Sequence, residues 1–277
     1  MNLIKVSVII PTYNRPKELI RSVKSVIDQS YNGYIEVIII DDSENSIKKE
    51  IKKEFSNIVK RNKNRHINYI HKGKKEGSPK ARNLGVKLAQ GDFIAFLDDD
   101  DLWLPEKIEK QIKVFVENDE VALVICYSID KRFGHERINK PPLEISHEMV
   151  LKAFNLSSSS SYLTRKNAFK EVGGFDVSLP SAQEYDLAIR LSKKYKIICV
   201  PEVLMIQNST IDQISENWKR KIRGLIAIYS KHGRDFNSIS KFNHVKFVGM
   251  LGLFSMGYLV GNKIYNVIIP MKERYEG

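Results

Sequence analysis

The chain has 277 residues and a hydrophobic fraction of 42%, which predicts a folded core and excludes a wholly disordered chain. Its formal net charge of +12 suits an anionic membrane, a phosphorylated ligand or a nucleic acid, and a solvated lysine-rich surface is the alternative. The sequence has no zinc-finger, RRM or KH signature, so no nucleic-acid partner is expected.

Short apolar runs alternate with helical patterns along the first half of the chain. Strands are predicted at residues 5–10, 36–40, 66–70 and 93–97. Helices are predicted at residues 17–29, 46–59 and 105–116, and another is opened by Ser78 as the N-cap and Pro79. Continuous apolar strands that alternate with helices are typical of a mostly parallel α/β sheet covered on both faces.

The second half of the chain is less regular. Residues 121–128 are predicted as a strand, and residues 131–147 lack periodicity and are predicted as a mobile loop. A helix is predicted from residue 182 to residue 194, and the tail is predicted to be helical from about residue 215. This pattern divides the chain into an α/β domain, residues 1–212, and a C-terminal helical extension, residues 213–277.

Targeting and redox features indicate the cytoplasm. Cys126 and Cys199 lie in apolar runs and are predicted to be buried free thiols of a reduced compartment. The N-terminal residues contain no long apolar segment, so a signal peptide is not expected. The longest uncharged stretch, residues 247–262, is shorter than the roughly 20 residues that span a bilayer. A buried or membrane-facing helix is therefore favoured there.

Polar side chains gather where the predicted strands end, which is where ligands bind in open α/β sheets. The first strand is followed by Pro11, Thr12, Tyr13, Asn14 and Arg15, the second by Asp41 and Asp42, and the fourth by Asp98 to Asp101. One rim of the sheet should therefore carry an aromatic ring, an arginine and a dense set of carboxylates.

Four consecutive aspartates repel one another, so a cation or strong hydrogen-bond donors must offset their charge. Oxygen ligands suit Mg²⁺ or Mn²⁺, and such an ion commonly bridges a diphosphate. Asp98 and Asp100 are predicted to hold the ion, with Asp99 directed to a neighbouring sugar hydroxyl. An acidic helix cap is the alternative, but it explains Asp101 alone.

Four other positions have both a functional and a local interpretation. Tyr13 and Arg15 could meet a base and phosphates, although a turn with Pro and Asn looks similar. Asp42 could accept the imide N–H of a pyrimidine, or it could belong to an ordinary strand-end turn. Arg82 could pair with a diphosphate, or it could be a surface cation beside Glu76.

Glu184 has two interpretations that lead to different chemistry. Residues 181–184 fit the S-x-x-E capping box, in which Glu184 bonds only the Ser181 backbone N–H. The alternative is a general base that deprotonates an attacking hydroxyl. The local pattern favours the cap. Asp186 is expected to cap the helix or to pair with Arg190.

Four segments in this order give a resemblance to a known family. They are VSVIIPTYNRPKELIRSVKSVIDQSY, EVIIIDDS, ARNLGVKLAQGDFIAFLDDDDLWLPEKIEKQ and GGFDVSLPSAQEYDLAIRL. The set resembles the family 2 glycosyltransferases over about residues 3–200. That resemblance implies the GT-A fold, which is a Rossmann-like, mostly parallel sheet flanked by helices, and transfer with inversion.

The resemblance also implies a role for each matching position. The nucleotide-sugar-binding positions are Pro11, Thr12, Tyr13, Arg15, Asp42, Arg82 and Asp99. Asp42 matches the aspartate that reads the base, usually uracil, and Asp98 and Asp100 match the D-x-D metal motif. Glu184 occupies the position of the catalytic base, which is commonly an aspartate, and this match favours the base over the cap.

The activity implied is metal-dependent transfer of a sugar from a nucleotide-sugar, with a UDP-sugar favoured and Mn²⁺ or Mg²⁺ as the ion. The implied acceptor is a glycan or a lipid-linked glycan in polysaccharide or glycoprotein-glycan synthesis. We expect a cytoplasmic protein that can contact the inner membrane face. Thr210 stands where many relatives have a histidine. The contact of that histidine with the metal or the phosphates is therefore missing here, or a neighbour such as Asn208 replaces it.

Two other functions compete with this one. A nucleotidyltransferase also uses acidic metal ligands, but it would show a Gly-rich basic loop after the first strand, which PTYNRP lacks. A non-catalytic sugar-nucleotide-binding or membrane-binding module would be basic and metal-binding but inert.

Overall fold

The computed structural model describes residues 4–59, 63–132, 135–153, 156–208 and 218–239. The described residues up to 178, together with residues 183–208, form one compact unit. Residues 179–182 and 218–239 belong to a second unit. The predicted domain boundary at residue 212, Thr210 and the apolar stretch 247–262 lie outside the described residues.

Strands and helices alternate through most of the first unit. In chain order, its elements are β1 (Lys5–Thr12), α1 (Pro16–Ile27), β2 (Tyr34–Asp41), α2 (Lys48–Val59), β3 (Arg65–His71), α3 (Ser78–Leu88), β4 (Phe93–Phe96), β5 (Leu102–Trp103), α4 (Lys107–Glu117), β6 (Val121–Arg132), β7 (His135–Asn139), β8 (Glu144–Ile145), α5 (His147–Ala153), β9 (Leu163–Arg165), α6 (Lys166–Glu171), α7 (Gln183–Ser192) and β10 (Lys196–Asn208).

All of these strands join one mixed sheet. The order across it is β3-β2-β1-β4-β9-β6-β10-β5, with β7 paired to β6 and β8 paired to β10. Strands β1 to β4 pair in parallel, and β6 pairs in parallel with β10. The short strand β9 lies antiparallel between β4 and β6, so the long strands on either side of it run in the same direction. Their carboxyl ends therefore lie along one edge of the sheet.

Helices cover the sheet and explain its continuous apolar strands. In β1 and β2, every residue after the first is buried. Helix α1 buries Leu19, Val23 and Val26 in the same core. Helix α3 approaches β1 so closely that a Cβ added to Gly85 would lie 2.3 Å from Ile9 Cγ2. The predicted α/β sheet with helical layers is confirmed.

Two local predictions were wrong. Most of the described residues between 131 and 147 do not form a loop, because β7 pairs antiparallel with β6 and β8 pairs with β10. Strands β7 and β8 contain too few residues to show a hydrophobic period. Ser78 is not the N-cap of α3, because it is the first residue of that helix. Gly77, with a φ of 92°, precedes it.

Cys126 of β6 and Cys199 of β10 are both buried and free, as predicted. In the second unit, α8 (Trp218–Lys231) and α9 (Gly233–Ile239) contact each other, and the rings of Tyr229 and Phe236 lie 5.4 Å apart. Within the described part of the chain, no helix is both long and apolar enough to cross a membrane.

Candidate active site

The acid turn, residues 98–101, follows β4 at the carboxyl edge of the sheet. The Ser22 hydroxyl of α1 lies 3.3, 2.7 and 2.9 Å from the carbonyl oxygens of Asp98, Asp99 and Asp101. The Asp101 N–H donates to the Asp98 carbonyl at 3.1 Å, and the Asp98 N–H donates to the Ser160 hydroxyl at 3.1 Å. These contacts fold the backbone back on itself, so the four carboxyl groups do not all meet the same partner.

Asp99 and Asp100 share one arginine. Arg15 Nη1 donates to Asp99 Oδ1 at 3.2 Å and to Asp100 Oδ2 at 2.9 Å. The Thr12 hydroxyl, at the end of β1, donates to the other oxygen of Asp99 at 2.8 Å. Burial raises the pKa of Asp99 to about 6, although the hydrogen bond from Thr12 opposes that shift. The ends of β1 and β4 are therefore joined through these carboxylates.

Arg82 links the acid turn to Glu184. Its guanidinium is buried and donates through Nη2 to Asp98 Oδ1, and its Cζ lies 5.5 Å from the centre of the Phe175 ring. Both Asp98 and Glu184 interact electrostatically with this guanidinium. Among the described residues, Arg82 Nε has no hydrogen-bond partner. Arg82 is therefore not the surface cation of the local interpretation.

Asp101 is a buried structural carboxylate rather than a helix cap. Its Oδ1 accepts the Asn208 N–H at 2.9 Å, while Asn208 Nδ2 donates to the Asp100 carbonyl at 2.9 Å. Burial raises the pKa of Asp101 well above its usual value, and the neighbouring charges of Asp98 and Asp100 raise it further. Asn208, at the end of β10, thus holds the acid turn through two hydrogen bonds.

The capping box at residues 181–184 does not form. The box needs Ser181 directly before the helix, but α7 begins at Gln183, so Ala182, with a φ of 60°, intervenes. The Ser181 hydroxyl donates instead to the Arg220 carbonyl at 3.1 Å. Glu184 is the second residue of α7 and is half-buried.

Asp186, the other acidic residue in the first turn of α7, has a structural role. Asp186 is fully buried, and its Oδ2 accepts from Arg190 Nε at 2.9 Å and from Nη2 at 2.6 Å. Arg190 Nη2 also donates to the Gly174 carbonyl at 2.6 Å. The predicted pairing of Asp186 with Arg190 is confirmed, so Glu184 is the more accessible carboxylate at the start of α7.

The segment after β1 presents an aromatic ring. Pro11 lies within β1 opposite Ile40 of β2 and beyond the last residue that pairs with β4, so its missing N–H breaks no hydrogen bond to β4. Asn14 has a φ of 53°, and its N–H donates to the Ser43 hydroxyl at 2.8 Å. Tyr13 is half-exposed, with Lys75 Nζ 4.2 Å from its ring centre.

Asp42 fastens the segment before α3. Its Oδ1 accepts from Lys72 Nζ at 2.8 Å, and its Oδ2 accepts the N–H groups of Glu76 and Gly77 at 3.1 and 2.7 Å. A carboxylate has about four acceptor positions, so these three donors leave room for one more. The Asp42 N–H donates to the Thr12 carbonyl at 2.9 Å, which places Asp42 beside the end of β1.

The donor set fits a divalent ion that is shared with a substrate. Among the described residues, no group of three or more His, Cys, Asp or Glu side chains is arranged to hold a metal. The side chains of Asp98 and Asp100 are 33% and 20% exposed and offer carboxylate oxygens from one turn. Mg²⁺ usually takes only one or two protein carboxylates and completes its shell with phosphate oxygens and water. Asp98 and Asp100 can supply that number.

Curated relatives carry glycosyltransferase names. The chain is 30% identical over 247 residues to the putative colanic acid biosynthesis glycosyl transferase WcaA of Escherichia coli, covering 85% of this chain and 84% of that protein. It is 33% identical over 188 residues to the Escherichia coli UDP-Glc:alpha-D-GlcNAc-diphosphoundecaprenol beta-1,3-glucosyltransferase WfaP, covering 68% and 69%. An uncharacterized glycosyltransferase of Haemophilus influenzae is 30% identical over 189 residues, and the match covers 67% of this chain but only 61% of that protein.

Solved structures confirm the GT-A fold. The mannosyltransferase PcManGT from Pyrobaculum calidifontis, in complex with GDP-Man and Mn²⁺, matches with a TM-score of 0.66 at 15% identity, covering 97% of this chain and 79% of that one. S. aureus TarS 1-349 in complex with UDP-GlcNAc matches with a TM-score of 0.63 at 17% identity, covering 82% and 67%. The model of the family described as "Glycosyl transferase family 2" matches residues 7–176. The chain belongs to glycosyl transferase family 2.

Proposed function

We propose that this protein is an inverting glycosyltransferase that moves a sugar from a nucleoside-diphosphate donor to a glycan or lipid-linked acceptor. One observation carries the proposal: the buried Arg82 guanidinium pairs with Asp98 of the acid turn, and the charge of Glu184 also acts on that guanidinium. A cation suited to a diphosphate therefore has a carboxylate suited to proton removal in its electrostatic surroundings.

In the proposed reaction, the acceptor hydroxyl attacks the anomeric carbon from the face opposite the diphosphate. The new bond joins the acceptor oxygen to that carbon while the bond from the carbon to the phosphate oxygen breaks, so the configuration inverts. Glu184 takes the proton of the attacking hydroxyl. Arg82, held in place by Asp98, stabilises the negative charge of the departing diphosphate. A divalent ion held by Asp98 and Asp100 would neutralise further charge on that diphosphate.

UDP is the favoured nucleotide of the donor. Asp42 lies beside Thr12 at the end of β1 with about one acceptor position open, which suits the single imide N–H of uracil. The names of WfaP and of the TarS complex also contain UDP-sugars, whereas PcManGT was solved with GDP-Man. The test therefore first compares donors that differ in their nucleotide base.

The test measures free nucleoside diphosphate released from a panel of UDP- and GDP-sugars with Mn²⁺, with and without acceptor. We expect a UDP-sugar to give release that rises when a diphospholipid-linked sugar or a glycan acceptor is added. If the protein were only a binding module, the donor would raise its unfolding temperature, but no nucleoside diphosphate would be released. Release of pyrophosphate from a nucleoside triphosphate and a sugar phosphate would instead indicate a nucleotidyltransferase.

We also propose that the protein contacts the cytoplasmic face of an anionic membrane, where a lipid-linked acceptor would lie. Helix α8 exposes three basic side chains, Arg220, Lys221 and Arg223, and the apolar side chain of Ile226 is 50% exposed. We expect sedimentation with phosphatidylglycerol vesicles at low salt and its loss at high salt. A protein that stays in the supernatant at low salt would contradict this proposal.

A further inference from the structure

Arg15 occupies one of the two carboxylates that a divalent ion would need. Its Nη1 contacts both Asp99 and Asp100, at 3.2 and 2.9 Å. The Asp100 oxygen that accepts this bond belongs to one of the two residues proposed to hold the ion. An arginine and a metal ion compete for the same carboxylate oxygen, because two cations close together repel each other.

Arg15 is also the more exposed of the two arginines at the acid turn. The Arg15 side chain is 36% exposed and directly precedes α1, whereas the Arg82 side chain is 7% exposed and stacks near Phe175. Turning Arg15 into solvent would leave the core packed. Moving Arg82 would open a buried space and leave a desolvated charge without its partner.

We infer that Arg15 is an internal counter-ion of the acid turn, which is displaced from Asp100 by the divalent ion and then pairs with the diphosphate. This inference rests on the proposed function. Without an ion, Arg15 offsets the repulsion between Asp99 and Asp100. With an ion on Asp100, its guanidinium is released beside the site where the phosphates bind, and it matches phosphate oxygens as a two-pronged donor.

Removing Arg15 should therefore have two effects of opposite sign. In Arg15→Gln, Mn²⁺ meets no competing cation at Asp100, so Mn²⁺ binding without nucleotide should tighten by about three- to tenfold. At saturating Mn²⁺, the same variant lacks a donor to the diphosphate, so UDP binding should weaken by about three- to tenfold. A purely structural role for Arg15 would weaken both.

The experiment measures Mn²⁺ binding by electron paramagnetic resonance of the free ion and UDP binding by calorimetry. Arg21→Gln is the matched control, because Arg21 is exposed on α1, the helix that Arg15 precedes, and the substitution removes the same charge. Arg21→Gln should change the affinities for Mn²⁺ and for UDP by less than about twofold. Arg15→Lys restores a cation and should bring Mn²⁺ affinity back toward that of the wild type.

Three outcomes are informative. Tighter Mn²⁺ binding with weaker UDP binding in Arg15→Gln, but not in Arg21→Gln, supports the inference. Equal Mn²⁺ affinities in the two Gln variants, or weaker Mn²⁺ binding in Arg15→Gln, overturn it while the proposed function stands. A wild-type protein that binds neither UDP nor GDP, even with Mn²⁺, overturns the proposed function, and this inference falls with it.

Discussion

Glu184→Gln is expected to lower the rate of sugar transfer by about 100- to 10,000-fold while donor affinity stays within a few-fold of the wild type. Glutamine keeps the size of the side chain and its place at the start of α7, but it cannot accept the proton of the attacking hydroxyl. The loss should appear in kcat rather than in the KM for the donor, because the base acts on the acceptor. Steady-state release of nucleoside diphosphate with acceptor present measures both constants.

Glu171→Gln is the matched control for this variant. Glu171 is exposed and pairs with Lys194 at 2.8 Å on the surface, so its loss should leave transfer unchanged. Normal turnover by Glu184→Gln would remove Glu184 from the mechanism. Asp186 is poorly suited to act as the base instead, because its carboxylate is fully buried and paired with Arg190.

Asp100→Asn is expected to lower transfer by at least about 100-fold and to remove most of the Mn²⁺-dependent part of UDP binding. An amide carries no charge, so it is a much weaker ligand for a divalent ion than a carboxylate. Asp100 is a cleaner test than Asp98, because Asp98→Asn would also leave the buried Arg82 guanidinium without its charged partner. Calorimetric titration of UDP with and without Mn²⁺ measures the effect.

Thermal unfolding separates this effect from a loss of structure. Asp100→Asn reduces the repulsion within the acid turn, so its midpoint without ligands should equal or exceed that of the wild type. Asp119→Asn removes one exposed carboxylate elsewhere and should leave UDP binding unchanged. Unaltered Mn²⁺-dependent binding in Asp100→Asn would show that Asp100 is not needed to hold the ion.

The sequence predicts the parallel part of the sheet well, because burial on both faces forces continuous apolar runs. It also places the acid turn, since the aspartates directly follow one of those runs. The contacts that shape the turn are not predictable in the same way. Ser22 and Asn208 hold its backbone from positions about 76 and 107 residues away in the chain, and a lone serine or asparagine carries no local signal of such a role.

Glu184 shows why a local pattern can mislead. The S-x-x-E motif predicts a cap, and the outcome depends on one residue, Ala182, whose φ of 60° delays the helix by one position. A positive φ at alanine is uncommon and cannot be anticipated from propensity. The resemblance to a family favours the base over the cap at this position, and the charge of Glu184 acts on the buried guanidinium of Arg82.

Anomalous X-ray scattering from crystals grown with UDP and Mn²⁺ tests the central claim most directly. We predict one manganese peak within coordination distance of a carboxylate oxygen of Asp98 or Asp100 and of the UDP phosphates, with the uracil beside Tyr13. The account would be contradicted by a diphosphate bound away from the acid turn, with Arg15 still paired with Asp100 and no manganese at Asp98 or Asp100.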